Sequence, residues 1–204
     1  TLTLGAIIPV LYSSFSKISK NILLLKRNLL FAQKIIFSLA VFMGLFVFTF
    51  KISIENILFN DKWSGINEIF GLMFLILSLE FFSTPLVEAI RSKGLFKILA
   101  LNNIFFVLIS IPFLFISINY GLKTYVIIRC ILLFTAYPII YIYSKKYLNI
   151  SFVETIKNVK TEIYIFLSLF ILTTIVNNNI NNIIISSLLN ILFFIISFSL
   201  FLYF

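Results

Sequence analysis

The charged side chains of Glu68, Glu80 and Arg129 lie inside long apolar runs of this sequence, where an ionised group has few partners. Glu80 lies about halfway along the run 66–90, and a carboxylate in such a setting is costly unless it pairs, faces a cavity or is protonated. The position of Glu80 therefore predicts one of three roles. The residue is a coupling site for a cation or proton, a lock between helices, or a protonated or hydrogen-bonded structural group.

Arg129 lies about five residues, or roughly 8 Å of helix, from the end of its run. A guanidinium group holds a phosphate through two parallel hydrogen bonds, so one interpretation is an anion-binding site. The other is a side chain that extends to the nearby interface. Glu68 enters its run at a similar depth from the same side, and we predict it as a better partner for Arg129 than Glu80. These three residues are the candidate substrate-binding residues.

The residues that most enzyme chemistry needs are missing from the sequence. It has no histidine and one cysteine, Cys130, which excludes a disulfide within the chain, zinc sites of the Cys/His type and every triad that needs histidine. Neither a phosphate-binding loop nor a dinucleotide-binding fingerprint occurs. We therefore predict no catalytic residue, no metal ligand and no cofactor. A transporter fits better than an enzyme, since transport needs only a cavity, polar groups and two conformations.

The composition is typical of a membrane protein. Apolar residues make up 61% and charged residues 11% of the 204 residues, whereas soluble domains carry about 25% charged residues. The apolar runs are continuous and close to the roughly 20 residues with which a helix spans a bilayer. The sequence predicts an all-α, polytopic transmembrane helix bundle of about seven spans, at 1–15, 35–50, 66–90, 98–118, 124–143, 163–176 and 183–204.

The basic residues alternate between the gaps that separate these runs. If the gap after the first run faces the cytoplasm, most Lys and Arg residues fall in cytoplasmic gaps, and the outer gaps hold Lys51, Lys62 and Lys123. This asymmetry fits the positive-inside rule and predicts a multi-pass protein of the cytoplasmic membrane with a cytoplasmic C-terminus. Nucleic-acid binding, the usual meaning of a net charge of +9, is disfavoured because the cations lie between membrane runs.

The chain divides into three predicted parts. Residues 1–143 hold the transmembrane helices of one lobe, 144–162 form a cytoplasmic amphipathic connector, and 163–204 hold the last two helices. The first run has the pattern of a truncated helix, and the chain begins at Thr1 without an initiator methionine. We therefore expect a longer parent protein.

Two local features are predicted near the end of the third run. Pro85 predicts either a kink in that helix, because proline interrupts the backbone hydrogen bonds of a helix, or a role in packing only. Glu88 and Arg91 are three residues apart and are predicted to form a surface ion pair on one helix face.

Two segments around the third run resemble a known family. Residues 57–63 read Ile-Leu-Phe-Asn-Asp-Lys-Trp, and residues 88–97 read Glu-Ala-Ile-Arg-Ser-Lys-Gly-Leu-Phe-Lys. They resemble the C-terminal half of polysaccharide flippases of the multidrug/oligosaccharidyl-lipid/polysaccharide exporter superfamily. Members often have leu-phe-gly-x-lys-trp before this helix and ala-x-gly-x-x-lys after it, and Asn60 stands where that motif has glycine. Residues 8–16, with Pro9 and a serine-rich end, resemble the end of the family's eighth helix.

The resemblance implies a transporter of fourteen helices in two lobes, in which the runs of this chain correspond to helices 8–14. Such flippases move undecaprenyl-diphosphate-linked oligosaccharides to the outer leaflet by alternating access, for polysaccharides such as O-antigen or capsule. Their central cavity is often lined with cations that receive the diphosphate, which makes Arg129 the best candidate cavity cation. The implied partners are the lipid-linked oligosaccharide, membrane lipids and a missing N-terminal lobe of the same protein.

Other functions stay open at this stage. A multidrug or lipid II exporter of the same superfamily would have fewer charges around its cavity and a sodium or proton site. A membrane enzyme of polysaccharide assembly, such as a polymerase or an acyltransferase, would need a long polar loop with catalytic acids or histidine. A structural subunit would only hold a partner protein in the membrane.

Overall fold

A computed structural model describes residues 2–58, 65–179 and 183–203 of the chain. Asp61 and Trp63 of the flippase-like motif lie outside these ranges. Within them every regular element is helical, and the predicted all-α, polytopic helix bundle is confirmed. The elements are α1 (Leu2–Ile18), α2 (Ile22–Thr49), α3 (Lys51–Leu58), α4 (Asn67–Glu80), α5 (Thr84–Ser92), α6 (Phe96–Ile118), α7 (Leu122–Leu133), a 3-10 turn (Phe134–Ala136), α8 (Tyr137–Leu148), α9 (Phe152–Asn158), α10 (Lys160–Asn179) and α11 (Ile183–Tyr203).

Several of these helices are long and apolar enough to cross a membrane. Over the described residues there are four such spans, namely α2, α6, α7 with α8 as Leu122–Leu148, and α10. The pair α4 and α5 makes a fifth if the two are counted as one broken span. Shorter apolar helices, Ile7–Ile18 and Ile185–Ser199, correspond to the first and last predicted runs. The protein is therefore membrane-embedded, while the number seven and the side of the C-terminus stay predictions.

The helix of the second span starts earlier than the run 35–50 that the sequence predicts. The structure continues the helix back to Ile22, so that Lys26 and Lys34 lie on α2 and not in a gap before it. Asn21 begins the helix, since its side-chain oxygen accepts a hydrogen bond of 3.1 Å from the Leu24 amide. Lys and Arg are good helix formers, and their long side chains can reach an interface from a helix. The predicted run 35–50 was therefore too short.

The third predicted run, 66–90, contains a helix break at 81–83. Pro85 has no amide hydrogen for the carbonyl group four residues earlier, and its ring crowds that carbonyl. The chain responds by ending α4 at Glu80, whose carbonyl oxygen accepts hydrogen bonds of 3.1 Å from both the amide and the hydroxyl of Ser83. The predicted kink is thus confirmed as an interruption, placed before the proline because Pro85 is compatible with the first turn of the new helix α5.

A buried glutamine on α2 hydrogen-bonds a backbone carbonyl group of this break. Gln33 is fully buried, and its amide nitrogen donates a hydrogen bond of 2.9 Å to the carbonyl oxygen of Phe82. The carbonyl lies in the non-helical segment and would otherwise face an apolar surrounding, where an unpaired backbone group is costly. Gln33 therefore fixes the conformation of the helix break.

We expect Gln33→Met to lower the free energy of unfolding by about 1 kcal/mol, because polar contacts inside membrane bundles contribute on this scale. Methionine keeps the approximate length of the side chain and removes the amide group, both its Nε2 donor and its Oε1 acceptor. The measurement is unfolding in detergent, with Asn28→Met as the matched amide replacement at a half-exposed position of the same helix. Equal stability of Gln33→Met and the parent protein would contradict the role assigned to this hydrogen bond.

The chain forms two compact units, each drawn from two stretches of sequence. The first combines the residues up to Phe37 with Glu80–Asn158, and the second combines Ser38–Leu79 with the residues from Val159 onward. The predicted boundaries of the connector, at 144 and 162, fall inside α8 and α10. Helices extend through them because the lysines and tyrosines after 143 tolerate helical conformation in the polar region beyond the span.

The core of the first unit lies where α5 packs against α1. Leu86, Ala89 and Ile90 of α5 are completely buried, and Phe15 of α1 is 2% exposed. An aromatic cluster continues this core, with ring centroids 6.1 Å apart for Phe82 and Tyr141, 4.8 Å apart for Tyr141 and Phe152, and 5.4 Å apart for Phe37 and Phe82. The helix break thus packs against buried apolar and aromatic side chains.

The second unit contains a close approach of α2 and α4. A methyl group added at Gly44 would lie 2.5 Å from Ser78 Cβ and 3.1 Å from the Phe74 carbonyl oxygen. Gly71 and Ser78 are buried on the α4 face that meets α2. Small residues allow helix backbones to approach closely, and in a bilayer such packing replaces the hydrophobic driving force. The sequence positions these small residues for contact between the two helices.

A carboxylate links α3 to the start of α4 in the second unit. Glu55 accepts a hydrogen bond of 3.0 Å from the Ile66 amide through one oxygen and a hydrogen bond from the Asn67 side chain through the other. The hydrogen bond from Asn67, followed by those from the backbone, holds the pKa of Glu55 below its ordinary value of 4.5. Glu55 therefore acts as an N-terminal cap supplied from outside the helix.

The stabilising effect of Glu55 should depend on pH. Because the pKa is lower in the folded protein, the contact is fully present above pH 4.5 and is lost as the pH falls below it. We expect the protection of the Ile66 amide against hydrogen exchange to decrease below that pH, and we expect Glu55→Gln to show no such dependence. Mass-spectrometric exchange of both proteins, compared at each pH, measures this. A parallel pH dependence in the two proteins would exclude Glu55 as its source.

Candidate functional site

The end of α4 places Glu80 at the helix break. Its carbonyl oxygen is occupied by Ser83, as described above, while its side chain is exposed. Ser83 itself is 5% exposed and belongs to the same compact unit. The chain thus holds one buried hydroxyl group and one accessible carboxylate within four residues of each other at an interrupted helix.

Arg129 on α7 is the charged neighbour of Glu80. Both residues belong to the first unit, both are exposed, and the guanidinium group acts electrostatically on the Glu80 carboxylate. The 3-10 turn Phe134–Ala136 follows α7 and leads directly into α8. Two opposite charges that the sequence places on different spans therefore lie within electrostatic reach of each other.

Tyr137 completes this cluster from the first turn of α8. Its half-buried hydroxyl group is hydrogen-bonded with the Ser83 side chain and lies within the electrostatic influence of Glu80. We name the four residues Glu80, Ser83, Arg129 and Tyr137 the helix-break cluster. It offers the Arg129 guanidinium group as a hydrogen-bond donor and the Glu80 carboxylate as an acceptor, while the Ser83 hydroxyl group already donates to the Glu80 carbonyl oxygen.

Chemically, the cluster suits reversible binding of an anion. A guanidinium group binds phosphate through two charge-assisted hydrogen bonds. Cys130, beside Arg129, is a free and buried thiol. No group of three or more potential metal ligands occurs among the described residues. The arrangement therefore supports binding of a charged group and contains no recognisable nucleophile with a base.

Glu68 lies in the first turn of α4 and belongs to the second unit. A carboxylate at that position complements the positive N-terminal end of the helix dipole. The pairing of Glu68 with Arg129 stays a prediction. Within the first unit, the Arg129 guanidinium group acts electrostatically on the carboxylate of Glu80.

The predicted pair of Glu88 and Arg91 forms, but it is not a surface pair. Arg91 Nη1 donates to both carboxylate oxygens of Glu88, at 2.8 and 3.0 Å. The Glu88 side chain is only 3% exposed, whereas that of Arg91 is 39% exposed. Glu88 is buried because it lies among the residues of α5 that pack into the core. The expectation of a solvated pair was therefore wrong for the carboxylate.

Sequence reasoning missed Ser83, Tyr137 and Gln33. A signal for Ser83 was present, since serine followed within two residues by proline is typical of a helix N-terminus. That signal lay inside an apolar run long enough for one span and was therefore interpreted as a kink. Tyr137 and Gln33 carried no comparable signal, because each acquires its role from a residue far away in the sequence.

Comparisons with known proteins assign the chain to no family. No family model, no curated protein and no solved structure matches it. The resemblance to polysaccharide flippases therefore depends on the short motifs at 57–63 and 88–97 and on the pattern of spans.

Proposed function

We propose that the protein is part of a membrane transporter that binds an anionic, lipid-linked substrate at the helix-break cluster and moves it across the bilayer. The observation that carries this proposal is the electrostatic interaction of Arg129 with Glu80, both exposed, at an interrupted span. Charged groups in membrane segments mark substrate or ion pathways. Interrupted helices are where transporters bind their cargo.

In this mechanism Glu80 and the substrate compete for Arg129. Without substrate, the carboxylate neutralises the guanidinium group and lowers the cost of an isolated charge in the membrane. An incoming diphosphate displaces Glu80 and accepts two charge-assisted hydrogen bonds from the guanidinium group of Arg129. The return of Glu80 to Arg129 then favours release on the opposite side. Alternating access needs a site that binds the substrate strongly and can also release it in exchange for another partner.

The substrate class follows from the family resemblance. Polysaccharide flippases carry undecaprenyl-diphosphate-linked oligosaccharides, and we propose that this chain serves as the C-terminal part of such a flippase in the cytoplasmic membrane. A second lobe would close the cavity from the other side, so that the exposed charges of the cluster face the substrate path. The basic residues around the spans support the same orientation, with α11 ending at the cytoplasmic side.

A transport assay with the full-length protein tests this proposal. The protein is reconstituted into liposomes that contain a fluorescent polyprenyl-diphosphate oligosaccharide, and translocation is measured as the fraction of label that becomes accessible to an external quencher. We expect faster translocation than in protein-free liposomes and inhibition by soluble diphosphate-linked sugars. Failure to move this lipid at any protein density would overturn the proposed substrate.

A second candidate, an exporter of cationic compounds, is favoured by one observation, the exposed carboxylate of Glu80. In that case Glu80 binds the substrate or a coupling cation, and Arg129 is displaced by it. The same liposomes distinguish the two functions when a lipophilic fluorescent cation replaces the labelled lipid. Transport of the cation, abolished by Glu80→Gln, would favour the exporter.

A further inference from the structure

The C-terminal end of α8 carries a group of cations within the first unit. Lys145 and Lys146 lie in the last turn of this helix and are exposed. Lys93, which follows α5, donates a hydrogen bond of 3.3 Å from its ammonium group to the Tyr147 carbonyl oxygen. The ammonium group of Lys146 lies 5.4 Å from the centroid of the Tyr147 ring. We name Lys93, Lys145 and Lys146 the α8-end cluster, because cations from two distant segments of the sequence lie together there.

The acidic residues of the first unit leave this cluster positively charged. Within the described residues of that unit they are Glu80, Glu88 and Glu154. Glu88 forms its ion pair with Arg91, and Glu154 forms an ion pair of 2.7 Å with Lys26. Glu80 lies before the start of α5, whereas the cluster lies beyond the other end of that helix. The carboxylates of the unit are therefore directed to other cations or lie at the far end of α5.

The backbone at the end of α8 is held by contacts from other segments. Asn149, just after the helix, has a positive φ of 54°, a conformation that asparagine adopts more readily than most residues. Its carbonyl oxygen accepts a hydrogen bond of 3.0 Å from Lys26 on α2. The Ile150 amide donates a hydrogen bond of 3.4 Å to the carbonyl oxygen of Ser144, a fully buried residue. The cluster is therefore mounted on a helix end of defined position.

The position of the cluster along its span places it at the level of lipid headgroups. The candidate span Leu122–Leu148 has 27 residues. At about 1.5 Å per residue it is roughly 40 Å long, which exceeds the roughly 30 Å hydrocarbon core. The rings of Tyr143 and Tyr147 stack with centroids 6.2 Å apart, and tyrosine is enriched where a span meets the membrane–water interface. Ile142, on the same helix, is 65% exposed. The cations thus lie next to apolar surface at the end of a span.

We propose that the α8-end cluster binds the phosphodiester headgroup of an anionic membrane phospholipid. Charge complementarity supports this partner, since lysines close to a span attract anionic lipids. Lys145 and Lys146 supply positive charge, and the ammonium group of Lys93 has donors beyond the one that it gives to the Tyr147 carbonyl oxygen. The exposed side chain of Ile142 contacts an acyl chain, which favours a lipid over an acidic protein segment. This site is independent of the proposed transport activity, because it shares no residue with the helix-break cluster.

Lipid titration followed by native mass spectrometry tests the proposal. The full chain in a neutral detergent is titrated with phosphatidylglycerol or with phosphatidylcholine, and the lipid-bound species are counted. We expect the parent protein to bind phosphatidylglycerol more tightly than phosphatidylcholine. The double variant Lys145→Gln/Lys146→Gln should bind phosphatidylglycerol about thirtyfold more weakly, on the scale of two lysines near an anionic lipid surface. It leaves the hydrogen bond of Lys93 in place.

Two further variants serve as controls for this titration. Lys17→Gln/Lys20→Gln removes the same charge from exposed positions at the end of α1 in the same unit, and it should bind phosphatidylglycerol as the parent protein does. Lys145→Arg/Lys146→Arg keeps the charge of the cluster and should also bind like the parent protein. This second control separates a loss of charge from a loss of folding, because a substitution that only disturbs the helix end would weaken binding in both α8 variants.

Several results would overturn the lipid site. Equal affinity of the parent protein for the two lipids would exclude it, and so would an equal loss of affinity in the α1 control, which would show a general effect of surface charge. Displacement of the lipid by an equal concentration of inorganic phosphate would assign the cluster to a free anion. Translocation is not measured, so a negative result leaves the transport proposal standing.

Discussion

Arg129→Ala in the full-length protein should slow translocation of a lipid-linked diphosphate at least about a hundredfold. The variant loses two charge-assisted hydrogen bonds to phosphate, each of about 1.5–3 kcal/mol, and a change of 1.36 kcal/mol is tenfold. It also leaves Glu80 without the positive charge that acts on it in the structure. The measurement is the initial rate in the liposome assay, at equal amounts of folded protein.

Two further substitutions distinguish the role of Arg129 from that of Glu80. Arg129→Lys keeps the charge but loses the planar fork, and we expect an intermediate rate. Glu80→Gln removes the competitor for the guanidinium group, so substrate should bind more tightly and leave more slowly. Lys97→Gln is the matched control, since Lys97 is an exposed cation of the same unit outside the cluster. Equal rates for Arg129→Ala and Lys97→Gln would contradict the assignment of the site.

Gly44→Leu should have the largest effect on folding. The side chain would enter the space where Ser78 Cβ and the Phe74 carbonyl oxygen already stand 2.5 and 3.1 Å from the position of a new Cβ atom. Overpacking by even a few methyl groups costs about 1–3 kcal/mol, and leucine adds more than that. We expect α2 and α4 to separate and the yield of folded protein from detergent to fall sharply.

A rescue experiment distinguishes crowding from other consequences of the substitution. Gly44→Ala adds one methyl group and should lower the midpoint of thermal unfolding, while Ser78→Gly alone should have a smaller effect. The double variant Gly44→Ala/Ser78→Gly removes the nearest side-chain obstacle and should recover most of the lost stability. Coupling between adjacent sites is what a double-mutant cycle measures. Strictly additive effects would show that the two residues do not meet.

Much of the helical framework could be predicted from the sequence. The runs 98–118 and 183–204 correspond closely to α6 and α11, because lipid cannot satisfy backbone groups and each apolar run must form its own hydrogen bonds. The starts of α2 and α5 could be predicted less well. Charged residues before a span and a serine before proline are compatible with a loop as well as with a helix, and only the neighbours decide between the two.

The candidate site could be predicted only in part. Glu80 and Arg129 stood out because each is a charge within an apolar run, which is a property of the local sequence. The electrostatic interaction of Glu80 with Arg129 depends on tertiary structure, because the two residues lie on different helices. A depth count along ideal, uninterrupted helices could not include the break in the third span, and the pairing of Glu68 with Arg129 that it favours stays a prediction.

By itself the sequence determined that this protein is an all-α membrane protein with a few charges in its spans, because the bilayer acts on each apolar segment separately. Tertiary structure decided which polar groups meet. Gln33 reaches the Phe82 carbonyl oxygen across 49 positions, and Tyr137 of α8 joins Ser83 at the helix break. Such contacts depend on the angle and register at which helices cross. Those are set by close packing of side chains from distant segments, which no local pattern encodes.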